Sequence, residues 1–262
     1  PNFCGFKLLS IWGKILGASV GFALGGPLGA LAGAAAGHYI GRFRADAIAA
    51  EGIGGSASFS ESENSRRQVS FAVAVIVLAA KLAKADGVVT RDEIETFKQV
   101  FHIPIHEVDN VGAIFDEAKA SPDNFELYAQ QIGIIFGNNP AVLEEFLNAL
   151  FCIAKSDNVV HPAELQYLKE VANIFGFTSG EFERIAAMHM PGASSDTYQI
   201  LGVTRDITNK ELKAHYRALV LEHHPDKLIA QGLPEEFVEQ ANEKLARINA
   251  AYDQICTERG QK

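Results

Sequence analysis

The feature that most constrains the fold is a run of 27 residues, Ile15 to Gly41, without a single Lys, Arg, Asp or Glu. Within it, His38 is the one side chain that titrates near neutral pH. That length crosses a bilayer as one tilted helix. Glycines recur through it at a strict period of four, from Gly13 to Gly41. Each costs about 1 kcal/mol of helix propensity relative to alanine, so many at one spacing point to a packing face. Small residues at i and i+4 let helix backbones approach closely in lipid. A period of four drifts around a 3.6-residue helix, so part of the series forms the contact. The expected packing glycines are Gly17, Gly21, Gly25, Gly29, Gly33 and Gly37, a face that also suits a homodimer. Pro27, after Gly25-Gly26, either kinks one span or marks the turn of a helical hairpin. Lys7 and Lys14 flank one side and Arg42 and Arg44 the other, so positive charge does not decide orientation. A signal peptide has a shorter apolar core. Residues 1–44 are therefore read as a membrane anchor.

Residues 45–67 are rich in Gly, Ser and Glu and read as a flexible linker. Residues 191–195, Pro-Gly-Ala-Ser-Ser, form a second, shorter one. Between them residues 68–190 are patterned as helices with few strand signals, and the chain's negative charge is concentrated there. Arg67 to Met190 hold nine Lys/Arg against 17 Asp/Glu, a formal −8 of the chain's −9. An acidic middle argues against nucleic acid as partner.

The middle contains an internal repeat. Ala83-Lys84-Ala85-Asp86-Gly87-Val88-Val89 returns as Ala154-Lys155-Ser156-Asp157-Asn158-Val159-Val160, and the register continues through Glu93/Glu164 and Lys98/Lys169. Each copy reads as an apolar helix, an Asp-Gly or Asp-Asn turn, two valines and a second capped helix. Gly87 and Asn158 suit the left-handed conformation after a helix. This pattern resembles the TerB-type, tellurite-resistance-like all-helical domain. Asp86, Glu93, Asp157 and Glu164 are candidate oxygen ligands for calcium or magnesium. Capping explains two of them better: Thr90 to Glu93 is a capping box, and Pro162 with Glu164 suits a first helical turn. No EF-hand loop pattern is present, and no metal or other cofactor is expected.

The C-terminal module, residues 196–262, opens with Tyr198-Gln199-Ile200-Leu201-Gly202-Val203. Thr208 and Glu211 then form a capping box for a helix reaching His223. Leu212, Tyr216, Leu219 and His223 share one helix face, and Lys210, Lys213 and Arg217 another. From Glu235 to about Ile255, Val238, Ala241, Leu245, Ile248, Tyr252 and Ile255 make a seam for an antiparallel partner. Between the helices lies His224-Pro225-Asp226, then a polar, glycine-containing stretch from Lys227 to Pro234 read as a loop. Proline fixes φ and pushes the preceding residue out of the α region, so His224 and Asp226 sit on a stiff corner. Asp226 accepts hydrogen bonds and is able to pair with an arginine on a partner. The basic helix face attracts an acidic partner surface. No nucleophile or acid–base pair is assembled, which fits a non-enzymatic activator.

This order of features resembles the J domain of DnaJ-type co-chaperones. The resemblance implies that His224, Pro225 and Asp226, with Lys210, Lys213, Arg217 and Lys227, dock on the ATPase domain of a DnaK-type chaperone and stimulate its ATP hydrolysis. Two positions depart from the family's pattern. Glu222 stands where a basic residue is usual, which weakens the positive face near the tip, and the loop after the tripeptide is longer than in common J domains.

Cys4, Cys152 and Cys256 are too few and too scattered for a disulfide framework or a zinc site. An apolar anchor, a TerB-like bundle and a C-terminal J-like hairpin together make an all-α chain that resembles the DjlA family of membrane-anchored co-chaperones. That resemblance implies a bacterial inner-membrane protein whose TerB-like and J modules face the cytoplasm. The alternative is a metal- or stress-sensing membrane protein in which the J-like module only tethers.

Overall fold

The computed structural model describes residues 11–15, 25–32, 34, 63–85, 95, 97–98, 101–120, 124–155, 160–189 and 197–260. Regular structure among them is helical throughout. The centre is α1, Glu63–Ala85. Every residue from Val69 to Ala83 is at most 4% exposed, Ser70 and Lys81 included. A helix apolar on all sides needs neighbours on all sides. They are α2 (Val108–Lys119), α3 (Phe125–Phe136), α4 (Pro140–Ala154) and α5 (Pro162–Ile174), with α6 (Ser179–His189) packing on α4 and α5. Phe71 of α1 meets the rings of Phe146, Phe136 and Phe237 with centroids 5.0, 6.1 and 4.9 Å away. Tyr167 of α5 donates its hydroxyl to the Leu78 carbonyl at 3.0 Å, so the polar end of a buried ring is satisfied inside the core.

The repeat appears as α1 and α4, the two apolar helices, and as α5, the second helix of the later copy. The corresponding helix of the first copy is described at Glu95, Phe97 and Lys98. The turns at Asp86 to Val89 and Ser156 to Val159 lie outside the described residues. Glu164 is 3% exposed, and its Oε2 accepts from the His161 backbone N–H at 2.8 Å. It closes the start of α5 as a helix cap. Asp86, Glu93 and Asp157 fall outside the described residues, and among the described ones no group of three or more His, Cys, Asp or Glu could hold a metal ion.

One expected boundary in the N-terminal half shifts. α1 begins at Glu63, so residues 63–67 are helical, not linker. Arg67 pairs with Glu63 one turn back at 2.8 Å, and Asn64 and Gln68 donate to the Ile229 and Leu233 carbonyls. In the glycine-striped segment, described in part, the backbone breaks where the sequence allowed a kink or a hairpin turn. Ile11–Lys14 forms one turn and residues 26–32 another short helix. Between them, Gly25 and Gly26 both adopt φ of +58°, the left-handed region that glycine enters without penalty. Gln131 of α3 holds the break from both sides, accepting from Leu28 N–H and donating to the Gly25 carbonyl, each at 2.9 Å. Gly29 lies buried in the short helix, while Gly17, Gly21, Gly33 and Gly37 lie outside the described residues. Among the described residues no helix is long and apolar enough to cross a membrane.

The C-terminal module consists of α7 (Thr197–Leu201), α8 (Asn209–Glu222), α9 (Pro225–Ala230), a 3-10 turn (Glu235–Phe237) and α10 (Val238–Glu258). Thr208 caps α8 through the expected box: its Oγ1 accepts from Glu211 N–H at 3.3 Å, and Glu211 Oε2 accepts from Thr208 N–H at 3.1 Å. α8 and α10 pack as an antiparallel pair around Tyr198, Leu201, Leu212, Leu219, Ile248, Ala251 and Ile255. Tyr216 and Tyr252 stack with centroids 3.9 Å apart. The expected seam divides. Ile248 and Ile255 serve this small core, whereas Ala241 joins Leu228, Leu233 and Phe237 in the large core of the middle domain. The stretch from Lys227 to Pro234 is thus not simply a loop: it begins as α9, and its apolar side chains are rooted in the neighbouring domain.

Candidate functional site

The corner between α8 and α10 is built by proline. Pro225 is the first residue of α9, where its missing N–H costs nothing and its fixed φ suits the helix. His224 is the N-cap in extended conformation, and its Nδ1 accepts from Asp226 N–H at 3.2 Å. The imidazole is therefore held by its own corner. His224 remains half exposed and the Asp226 side chain is 89% exposed. Lys210, Lys213 and Arg217 stand exposed along α8, and Lys227 is exposed in the first turn of α9. The tripeptide and Lys227 lie past the C-terminal end of α8, and Lys210, Lys213 and Arg217 are exposed from its first turn to its middle. What they offer is hydrogen bonding and charge attraction toward a partner.

One residue back from His224 the environment reverses. His223 is 2% exposed and faces a buried charge cluster shared by two domains. Lys244 of α10 places its Nζ 2.7 Å from Glu145 Oε1 and 2.8 Å from Glu144 Oε1, both on α4. The same ammonium lies 3.0 Å from His223 Nδ1. With Lys244 donating there, the ring proton belongs on Nε2, which looks toward Glu144 Oε2 at 3.8 Å. Arg184 of α6 donates to Glu144 Oε2 at 2.6 Å. Asn148 donates to Glu145 Oε2 at 3.2 Å and sits 2.9 Å from His189 Nε2. Two carboxylates thus meet two cations out of water. Burial by itself pushes both carboxyls up, but Lys244 above all, joined by Arg184 at Glu144, holds them below the usual carboxylate range.

Glu222 acts on this cluster only through the charge of Arg184. Burial works against the Arg184 charge, and Glu144, Glu181 and Glu222 outweigh it, raising the guanidinium pKa. The acid that departs from the family's basic position belongs to the carboxylate field around an arginine of the middle domain. Lys244, Glu144, Glu145 and Arg184 were not singled out from sequence. The signal was there: Glu144-Glu145 and Asn148 interrupt an otherwise apolar helix, and charges inside such a helix need buried partners.

The chain matches three family models: "Co-chaperone DjlA transmembrane domain" over residues 9–55, "Tellurite resistance protein TerB" over 72–187, and "DnaJ domain" over 196–262. It is 32% identical to the co-chaperone protein DjlA of Photobacterium profundum, the alignment covering 96% of this chain and all of that one. It is 33% identical to the DjlA protein of Vibrio vulnificus and 34% identical to that of Vibrio parahaemolyticus, each over 97% of this chain and the whole relative. No solved structure matches. Anchor-domain match, helical middle, J module and near full-length relatives agree, and the chain belongs to the DjlA family of co-chaperones.

Proposed function

We propose that this co-chaperone recruits a DnaK-type chaperone and stimulates its ATP hydrolysis through the His224-Pro225-Asp226 corner. The observation that carries the reading is the corner itself. His224 and Asp226 are presented on a proline-fixed helix start with exposed Lys227 next to them, and Lys210, Lys213 and Arg217 are exposed on the preceding helix, with no nucleophile or general base assembled among them. Such a surface acts by docking, so the chemistry belongs to the partner. The anchor-domain resemblance supports placing this activity at a membrane. ATP and DnaK-type partners are cytoplasmic, so the J module faces the cytoplasm at the bacterial inner membrane.

Binding of the full chain to a DnaK-type chaperone at rising salt tests the docking face. Wild type should bind with an affinity that falls as salt rises. Lys213→Glu combined with Arg217→Glu should weaken binding and flatten that dependence. Undiminished binding by the reversed chain removes the basic face from the mechanism.

A further inference from the structure

The corner is held from both sides by the TerB-like domain. Before it, His223 is fixed in the cluster of Lys244, Glu144, Glu145 and Arg184. After it, Leu228, Leu233 and Phe237 are buried in the TerB-like core. Asn64 and Gln68, at the start of α1, donate to the carbonyls of Ile229 and Leu233 at 3.3 Å. Gly232, at φ +109°, passes so close that an added Cβ would sit 2.8 Å from Arg67 Cβ and 3.0 Å from Phe136 Cε1. Neither module is electrically complete alone. Without Lys244 the two α4 carboxylates lose a shared cation, and without α4 the Lys244 ammonium loses both of its anions. Lys210, Lys213, Arg217, His224 and Asp226 all remain exposed outside this docking.

We infer that the TerB-like domain is the positioning element of the J module, with Glu144, Glu145 and Lys244 as positioning residues that fix the orientation of the corner through His223. The inference rests on the proposed action of that corner. Encounter with the chaperone depends on the exposed basic face, whereas productive geometry depends on the clamp. A misplacement of about 1 Å at a working site costs up to about 100-fold. Loosening the clamp therefore lowers maximal stimulation more than it raises the concentration needed to reach half of it.

The test uses the full chain and the ATPase activity of a DnaK-type chaperone, with His224→Gln as reference. Glu144→Gln with Glu145→Gln should lower maximal stimulation by about tenfold while the half-saturating concentration moves by less than about threefold. Lys244→Arg, which keeps the cation, should restore most of what Lys244→Met loses. Asn64→Ala with Gln68→Ala spares the buried charges and should lower the maximum in the same direction. This variant decides the matter if the carboxylate variants do not fold. An unchanged maximum in the folded variants, while His224→Gln abolishes stimulation, overturns the positioning role and leaves the proposed function standing. Full stimulation by His224→Gln overturns both.

Discussion

Lys244 of the J module and Glu145 of the TerB-like domain, 99 positions apart in sequence, form a 2.7 Å ion pair with both side chains no more than 4% exposed. A pair this deep binds two domains into one unit, because each charge is costly without the other. Replacing Lys244 by Met leaves two carboxylates buried without their shared cation. The expected loss is about 3–5 kcal/mol of folding stability. Chemical denaturation at neutral pH checks it. Changing Lys244, Arg184, Glu144 and Glu145 together to apolar residues of similar size should cost far less, since buried charge clusters replaced as a whole roughly break even against a hydrophobic core.

Gly232 tests the packing of α9 on α1. Its left-handed φ and the closeness of Arg67 and Phe136 leave no room for a side chain. Gly232→Ala should destabilise the chain by about 1–3 kcal/mol, from backbone strain and overpacking together. A thermal midpoint equal to wild type would show that α9 is not seated as described.

The histidine at the end of α6 predicts a pH dependence. Burial, followed by the nearby charges of Arg247 and Lys155, lowers the pKa of His189 from 6.5 to about 3. Between those values the unfolded chain binds a proton that the folded one refuses. Stability therefore falls as pH drops below 6.5, by up to about 1.4 kcal/mol per pH unit from this group. The carboxylates of Glu144 and Glu145, whose pKa values are lowered on folding, contribute stability above about pH 4.5 that is lost at lower pH. Urea titrations across pH 4–6.5 should show a flatter profile for His189→Gln, which keeps a donor for Asn148. Parallel profiles would contradict the assignment.

Cys152 of α4, partly exposed at the edge of the same core, gives a chemical readout of it. Burial, aided by Glu243, raises its thiol pKa to about 11. It should alkylate slowly at pH 7.5, with a rate rising about tenfold per pH unit as thiolate forms. Fast alkylation at neutral pH would mean that α4 is open to solvent.

Much of this architecture was legible from local pattern. The cap at Thr208, the corner at Pro225, the exposed Lys210, Lys213 and Arg217, and the small core of Leu212, Leu219 and Ile248 all follow from residue type and spacing within one module. What escaped depends on contacts between modules. Leu228 and Leu233 are buried in the core of the middle domain, a partner outside their own module, so the stretch from Lys227 to Pro234 read as a loop. The break at Gly25-Gly26 was among the sequence alternatives, but its partner Gln131 is remote in sequence.

The most direct test of the central claim is ATP turnover by a DnaK-type chaperone with the full chain, wild type against His224→Gln. The corner hydrogen bond from Asp226 N–H to His224 Nδ1 is lost in the variant, while the buried partners of His223 are untouched. The account predicts clear stimulation by wild type and a return to nearly the unstimulated rate with a folded His224→Gln chain. Equal stimulation by the two would contradict it.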